Sequence, residues 1–238
     1  MNQLPSYNLD PPVSEPADVE LKIIFLLADS QLLFWRENGQ LLLERVARTR
    51  ERMKAAYVGA SNGDNPDFYA IFVSAMEGAG LFDCRMIPSA LSEADLLFLN
   101  DADIILLAGG DVELGWRAFL NNGLNNLMVR RYFEGASLIG VSAGAVQLGL
   151  CGLAADGSLI ETSKLVPYII GAHEESNNWK TTTDLLRRSA TDTRAIGLPT
   201  GGGAIYHSDH TVEPLRHPLV ELSLSGHSVH QTLLLPME

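Results

Sequence analysis

Ser142 lies in the run Gly140-Val141-Ser142-Ala143-Gly144, between an apolar strand-like stretch at 136–140 and a helix-forming stretch at 145–150. In that context Gly-x-Ser-x-Gly reads as a nucleophile elbow. A sharp strand-to-helix turn presents the hydroxyl, admits only small side chains two positions to either side, and needs backbone angles that glycine tolerates. The following helix turns its unbonded N–H groups toward the same point, where they and the macrodipole can hold a developing oxyanion. Ser142 is therefore the candidate nucleophile. The plain alternative is a tight turn whose hydroxyl is satisfied locally.

A serine hydroxyl is a weak nucleophile without a base, most often an imidazole. Six histidines are available. His173 ends the segment 166–173, patterned as a short buried strand running into a polar loop. His207 and His210 form a His-Ser-Asp-His cluster, and His217, His227 and His230 follow toward the C-terminus. On the residues alone, both His173 and the pair His207 and His210 stay open as the base. The cluster lacks a companion at metal-ligand spacing, so no metal and no other cofactor is expected.

The elements around these residues alternate. Strand patterns at 21–27, 55–59, 82–87, 104–108 and 136–140 are separated by helical patterns at 40–53, 67–79, 92–100, 115–121 and 124–133, with Gly80 and Ser92 as expected caps. Such alternation calls for an α/β fold of flavodoxin-like type, a mainly parallel sheet flanked by helices on both faces, with ligands bound at the carboxyl ends of strands. Gly109-Gly110-Asp111 and the Ser142 turn both fall at such ends. A helix at 178–190 and short strands at 195–198, 203–207, 211–213 and 227–235 predict a short antiparallel C-terminal extension. Residues 1–20 carry four prolines without hydrophobic periodicity and read as a flexible tail, leaving one domain over 21–238.

Composition excludes other classes. With 29 acidic against 17 basic residues the formal charge is −12, so neither nucleic acid nor an anionic membrane is an expected partner. The exception is a basic run containing Arg45, Arg48, Arg50, Arg52 and Lys54, read as the wet face of a helix. Two cysteines, Cys84 and Cys151, are too few for a disulfide framework. No signal-like start and no apolar stretch long enough for a membrane span is present, which predicts a cytoplasmic protein.

The order of Leu107-Ala-Gly-Gly-Asp111, two helices, a strand, Gly140-Val-Ser-Ala-Gly-Ala145 and the segment ending in His173 resembles the serine peptidases typified by cyanophycinase and dipeptidase E. Residues 195–206 are similar to that family's late segment. The resemblance implies the class I glutamine amidotransferase fold, with serine at the elbow in place of cysteine. It further implies Ser142 as nucleophile, His173 as general base, and the Gly110 and Ala143 N–H groups as the oxyanion hole. The triad acid expected between serine and histidine is Glu161, with Asp156 next; Glu174 or Glu175 are substitutes. Gly109 and Asp111, with Arg187 and Arg188 in the helix after His173, stand as substrate-binding positions, because family members favour bonds next to aspartyl residues and a guanidinium can grip a carboxylate. The implied substrate is a small peptide and the implied assembly a homodimer.

Three departures bear on specificity: Val112 where the cyanophycinase branch commonly has glutamine, and Ala172 and Glu174 flanking the histidine. Two other readings follow from the same residues. An esterase of the α/β-hydrolase type shares Gly-x-Ser-x-Gly but usually places its histidine much further downstream. A noncatalytic relative could keep the scaffold and bind a ligand.

Overall fold

The computed structural model describes residues 22–47, 53–226 and 228–237. The chain opens with strand β1 (Ile24–Leu27), a hairpin of β2 (Arg36–Glu37) and β3 (Gln40–Leu41), and one helical turn, α1 (Glu44–Ala47). Alternation follows: β4 (Lys54–Val58), α2 (Pro66–Gly78), β5 (Asp83–Ile87), α3 (Glu93–Asp101) and β6 (Ile104–Leu107). Two consecutive helices, α4 (Val112–Asn121) and α5 (Leu124–Phe133), lead to β7 (Ser137–Val141) and α6 (Ala143–Leu148). A small hairpin of β8 (Cys151–Leu153) and β9 (Leu159–Glu161) precedes β10 (Ile169–Ala172), α7 (Lys180–Arg187) and β11 (Arg194–Leu198). The described chain finishes with β12 (Gly203–Tyr206), β13 (Val212–Leu215), β14 (Leu219–Ser225) and β15 (Ser228–Leu234).

The main sheet has the order β13-β12-β1-β7-β6-β4-β5. Its members from β1 to β5 are parallel neighbours, and β12 and β13 extend the β1 edge antiparallel. The second sheet, β10-β11-β14-β15, pairs its first two strands parallel and the rest antiparallel. Where one antiparallel extension was expected, the C-terminal strands divide between the two sheets.

Both faces of the main sheet are covered, so its strands are nearly continuous apolar runs whose period-2 alternation feeds two cores. Ile24, Leu26, Ile105, Leu107 and Leu138 face one core together with Leu148 of α6 and Ile170 of β10. Phe25, Leu27, Tyr57, Leu106 and Ile139 face the other with Phe72 and Met76 of α2. Each large side chain fully buried in this way contributes roughly 1.5–3 kcal/mol. The consequence for the crevice is spatial: α6 and α2 flank the β7 terminus from opposite sides.

Local signals hold at several ends. Ser92 caps α3 in a reciprocal box with Asp95, Asn65 caps α2 ahead of Pro66, and Gly80 takes the left-handed conformation just past α2. The helix expected over 40–53 is a correction. Asn38 and Gly39 both adopt positive φ, an Asn-Gly turn that folds Gln40 and Leu41 back onto Arg36 and Glu37. The rest of that segment at 48–52, the proposed tail at 1–20, Leu21 and His227 lie outside the described residues. Among the described residues no helix is long and apolar enough to cross a membrane.

Candidate active site

The elbow is built by close approach. A Cβ at Gly140 would stand 2.6 Å from the Ala145 backbone, and one at Gly144 would stand 2.2 Å from the Leu107 carbonyl oxygen. Ser142 between them has φ 49° and ψ −109°, a sparsely populated conformation, of the kind that stores about 1–3 kcal/mol and persists only where surroundings enforce it. They do so here: the Ser142 N–H donates to Leu27 O at 2.8 Å, and its carbonyl accepts from Ala145 N at 2.9 Å, starting α6.

Ser142 Oγ lies 2.8 Å from His173 Nε2. His173 follows directly on β10, has φ 46°, and donates its backbone N–H to Leu198 O at 2.8 Å, so the neighbouring strand fixes where the ring leaves the sheet. His207 and His210 are elsewhere. Tyr206 pairs with Ile24, at the amino end of β1 and therefore the opposite end of the sheet from Ser142. There His207 bonds with Glu213 and His210 with Tyr206. Among the described residues no group of three or more His, Cys, Asp and Glu side chains could hold a metal ion.

The four carboxylates expected at the imidazole have other hydrogen-bond partners. Glu161 accepts from Lys164 Nζ at 2.9 Å, and Asp156 accepts from Ser158 N at 2.8 Å in the exposed β8–β9 turn. Glu174 caps α7, accepting from Thr181 N, Thr182 N and the Thr182 hydroxyl. The Glu175 carboxyl feels the field of the His173 ring as the smallest of several influences. It accepts from Thr200 N at 3.1 Å. Burial pushes the Glu175 carboxyl up, but hydrogen bonds from Thr200 and its own backbone, with the field of the His173 ring, bring it below the ordinary value.

Gly110 shows why its loop needs glycine. It has φ 134°, and a Cβ there would stand 2.1 Å from Ser61 O. Asp111 donates its N–H to the same oxygen at 2.7 Å, while its exposed side chain accepts from Leu114 N and caps α4. Behind the loop, fully buried Gln147 of α6 donates to Ser61 Oγ at 3.0 Å and Val112 O at 3.1 Å. This buried amide ties the elbow helix to the glycine loop, and sequence reasoning missed it; a lone glutamine in an apolar helix face was the available signal. Among the described residues neither the Gly110 nor the Ala143 N–H has an acceptor, which leaves both donors available beside Ser142.

Loops after β1, β6 and β7 converge on a cavity of about 250 Å³, lined among others by Asp29, Gly109, Gly110, Ser142 and His173. Asp29 was not anticipated: it accepts from Gln31 N and from Gly201 N at 2.7 Å. Arg187 and Arg188 do not reach the cavity. Glu174 holds the amino end of α7 beside His173, and the helix then runs away for eight residues, about 12 Å. At its far end Arg187 pairs with Asp184 and Arg188 donates to Gly157 O.

The model of peptidase family S51 matches residues 30–214. Among solved structures, the chain is similar to the crystal structure of a peptidase from an acI-B1 Actinobacterium, with 15% identity, a TM-score of 0.68, and coverage of 92% of this chain and 96% of that one. It is also similar to a putative peptidase E protein from Listeria monocytogenes EGD-e, with 17% identity, a TM-score of 0.55, and coverage of 90% and 98%. A comparison with curated proteins finds no match.

Proposed function

The chain belongs to peptidase family S51 and is a serine peptidase, and on that premise we propose that Ser142 is its nucleophile and His173 its general base. The observation that carries the assignment is the 2.8 Å separation of Ser142 Oγ from His173 Nε2. In this reading His173 takes the hydroxyl proton as Ser142 attacks a peptide carbonyl, and the oxyanion is held by the Gly110 and Ala143 N–H groups. His173 then gives the proton to the leaving amine, and water repeats the sequence on the acyl-enzyme. Glu175 is assigned as the positioning acid. Its depressed carboxyl supplies negative charge that favours the imidazolium formed in each half-reaction. Glu161 and Asp156 are left out of this assignment; their hydrogen-bond partners are Lys164 and Ser158.

The substrate class is a small peptide, and the compartment the cytoplasm; the unpaired thiols of Cys84 and Cys151 support a reducing setting. The test is labelling by a serine-directed fluorophosphonate alongside peptide-library digestion. Parent protein should be labelled and hydrolyse peptides, while Ser142→Ala should lose both and His173→Ala should lose hydrolysis. A parent protein that takes no label and cleaves nothing would make the scaffold a binding module.

A further inference from the structure

Resting on the peptidase reading, we propose that the residue contributing the scissile carbonyl carries an apolar side chain of leucine or phenylalanine size, rather than an acidic one. The cavity beside Ser142 extends along a wall of Leu33, Tyr57, Phe68, Ile71, Phe72 and Val141. Its volume of about 250 Å³ leaves room for a large side chain. Phe68 and Ile71 project from α2 at 49% and 36% exposure beside an aromatic group of buried Tyr57 and Phe72 and partly buried Tyr69. They are apolar surface left wet at the mouth of a reactive crevice.

The reaction decides which part of the substrate meets that wall. At the tetrahedral carbon the new bond is to Ser142 Oγ, the oxyanion faces Gly110 and Ala143, and the leaving nitrogen must face His173 to receive its proton. The fourth substituent, the acyl Cα, therefore points away from the imidazole. His173 follows β10, whose Ile170 packs in the core on the α6 face, whereas Phe72 and Tyr57 belong to the core on the opposite face. Pointing away from His173 means pointing toward α2.

The charges along the cavity agree. Among the described residues no lysine or arginine lines it, and the ionisable ones that do are Asp29, Tyr57 and His173. Burial pushes the Tyr57 phenol up, and its oxygen already accepts from Asn62 Nδ2 at 2.7 Å. An acidic side chain would give up its water, meet no cation among the described residues and face Asp29. A leucine or phenylalanine side chain would instead cover Phe68 and Ile71.

The test uses dipeptides that share a C-terminal leucine and differ only in the first residue, with Ser142 labelling measured in parallel. We expect kcat/KM for the Leu and Phe substrates to exceed that for Asp by about tenfold or more, the scale of discrimination an apolar pocket supplies. Ile71→Arg places a cation in the wall at a half-exposed position and should invert the order; Phe68→Ala should narrow the Phe advantage and serves if the first variant misfolds. Normal labelling with Asp preferred, or with an order that neither variant changes, overturns the pocket assignment and leaves the peptidase reading intact. Absence of both labelling and hydrolysis overturns the two together.

Discussion

Replacing Gly110 by alanine tests the oxyanion loop through a magnitude that the structure sets. The added Cβ would stand 2.1 Å from Ser61 O, against ordinary contact beyond 3.4 Å, so the two segments must separate by more than about 1 Å. Ser61 is the harder of the two to move, since the buried Gln147 amide of α6 holds its hydroxyl. Gly110 therefore shifts, and its N–H leaves the 2.7–3.1 Å range that an oxyanion donor needs. Losing one such donor lowers kcat by ~10²–10³, roughly 2.7–4 kcal/mol of transition-state stabilisation. The φ of 134° adds strain of ~1–3 kcal/mol, which lowers Tm by about 2–4 °C per kcal/mol for a chain of this size. Gly123→Ala is the control: it too has positive φ, 68°, but nothing stands within 4 Å of the new Cβ, so stability falls slightly and kcat does not. Steady-state kinetics well below Tm, with the fluorophosphonate labelling rate, separate the two effects. A Gly110→Ala enzyme within about threefold of parent kcat would refute the assignment of this loop to the oxyanion.

Other outcomes follow from the same geometry. Glu175→Gln removes negative charge coupled to His173, so kcat should fall and the acid limb of kcat/KM should move to lower pH as the imidazolium loses support; a pH–rate profile with an unmoved limb would deny Glu175 its positioning role. Burial raises the Asp95 carboxyl, but bonds from the Ser92 hydroxyl and N–H and the Arg85 charge lower it overall. A depressed carboxylate stabilises fully above its unfolded value near 4 and loses that contribution as pH falls through its folded value, so Asp95→Asn should flatten the acid side of a Tm-versus-pH curve and remove ~1–2 kcal/mol at neutral pH. Burial pushes the Cys84 thiol up to about 11; with about one thiolate in a thousand at pH 8, iodoacetamide should leave both Cys84 and peptidase activity intact, a result checked by mass spectrometry and rate.

Features governed by local sterics were readable in the chain. Gly140 and Gly144 have no room for a Cβ, and Ser92 with Asp95 satisfies free N–H groups three residues apart; such requirements act within a few bonds. The 40–53 segment misled because its apolar spacing fits a helix, while the Asn38-Gly39 turn two residues earlier carried the stronger instruction. The resemblance and guanidinium chemistry point to Arg187 and Arg188 as substrate-binding, yet a helix joining the parallel pair β10 and β11 must run back along the strands and carry its last turn away from the crevice. The acid was not legible. Glu161 has the right position in chain order, but the folding of the β8–β9 hairpin delivers it to Lys164, and the single helical turn at Glu175–Asn177 carries Glu175 to the Thr200 amide. The α2 wall was invisible for a different reason: it depends on side chains far from Ser142 in sequence meeting across the crevice.

Ser142 stands at the rim of one sheet and His173 at the rim of the other, so their separation is a coordinate between two layers rather than within one. The link that crosses from β11 to β12 is pinned at adjacent amides, Thr200 by Glu175 and Gly201 by Asp29, one carboxylate from each layer. The crossing acts as a staple whose loosening would let nucleophile and base drift apart while each layer stayed folded. Inactivation on warming would then run ahead of global melting, with amide exchange at Thr200 and Gly201 rising first.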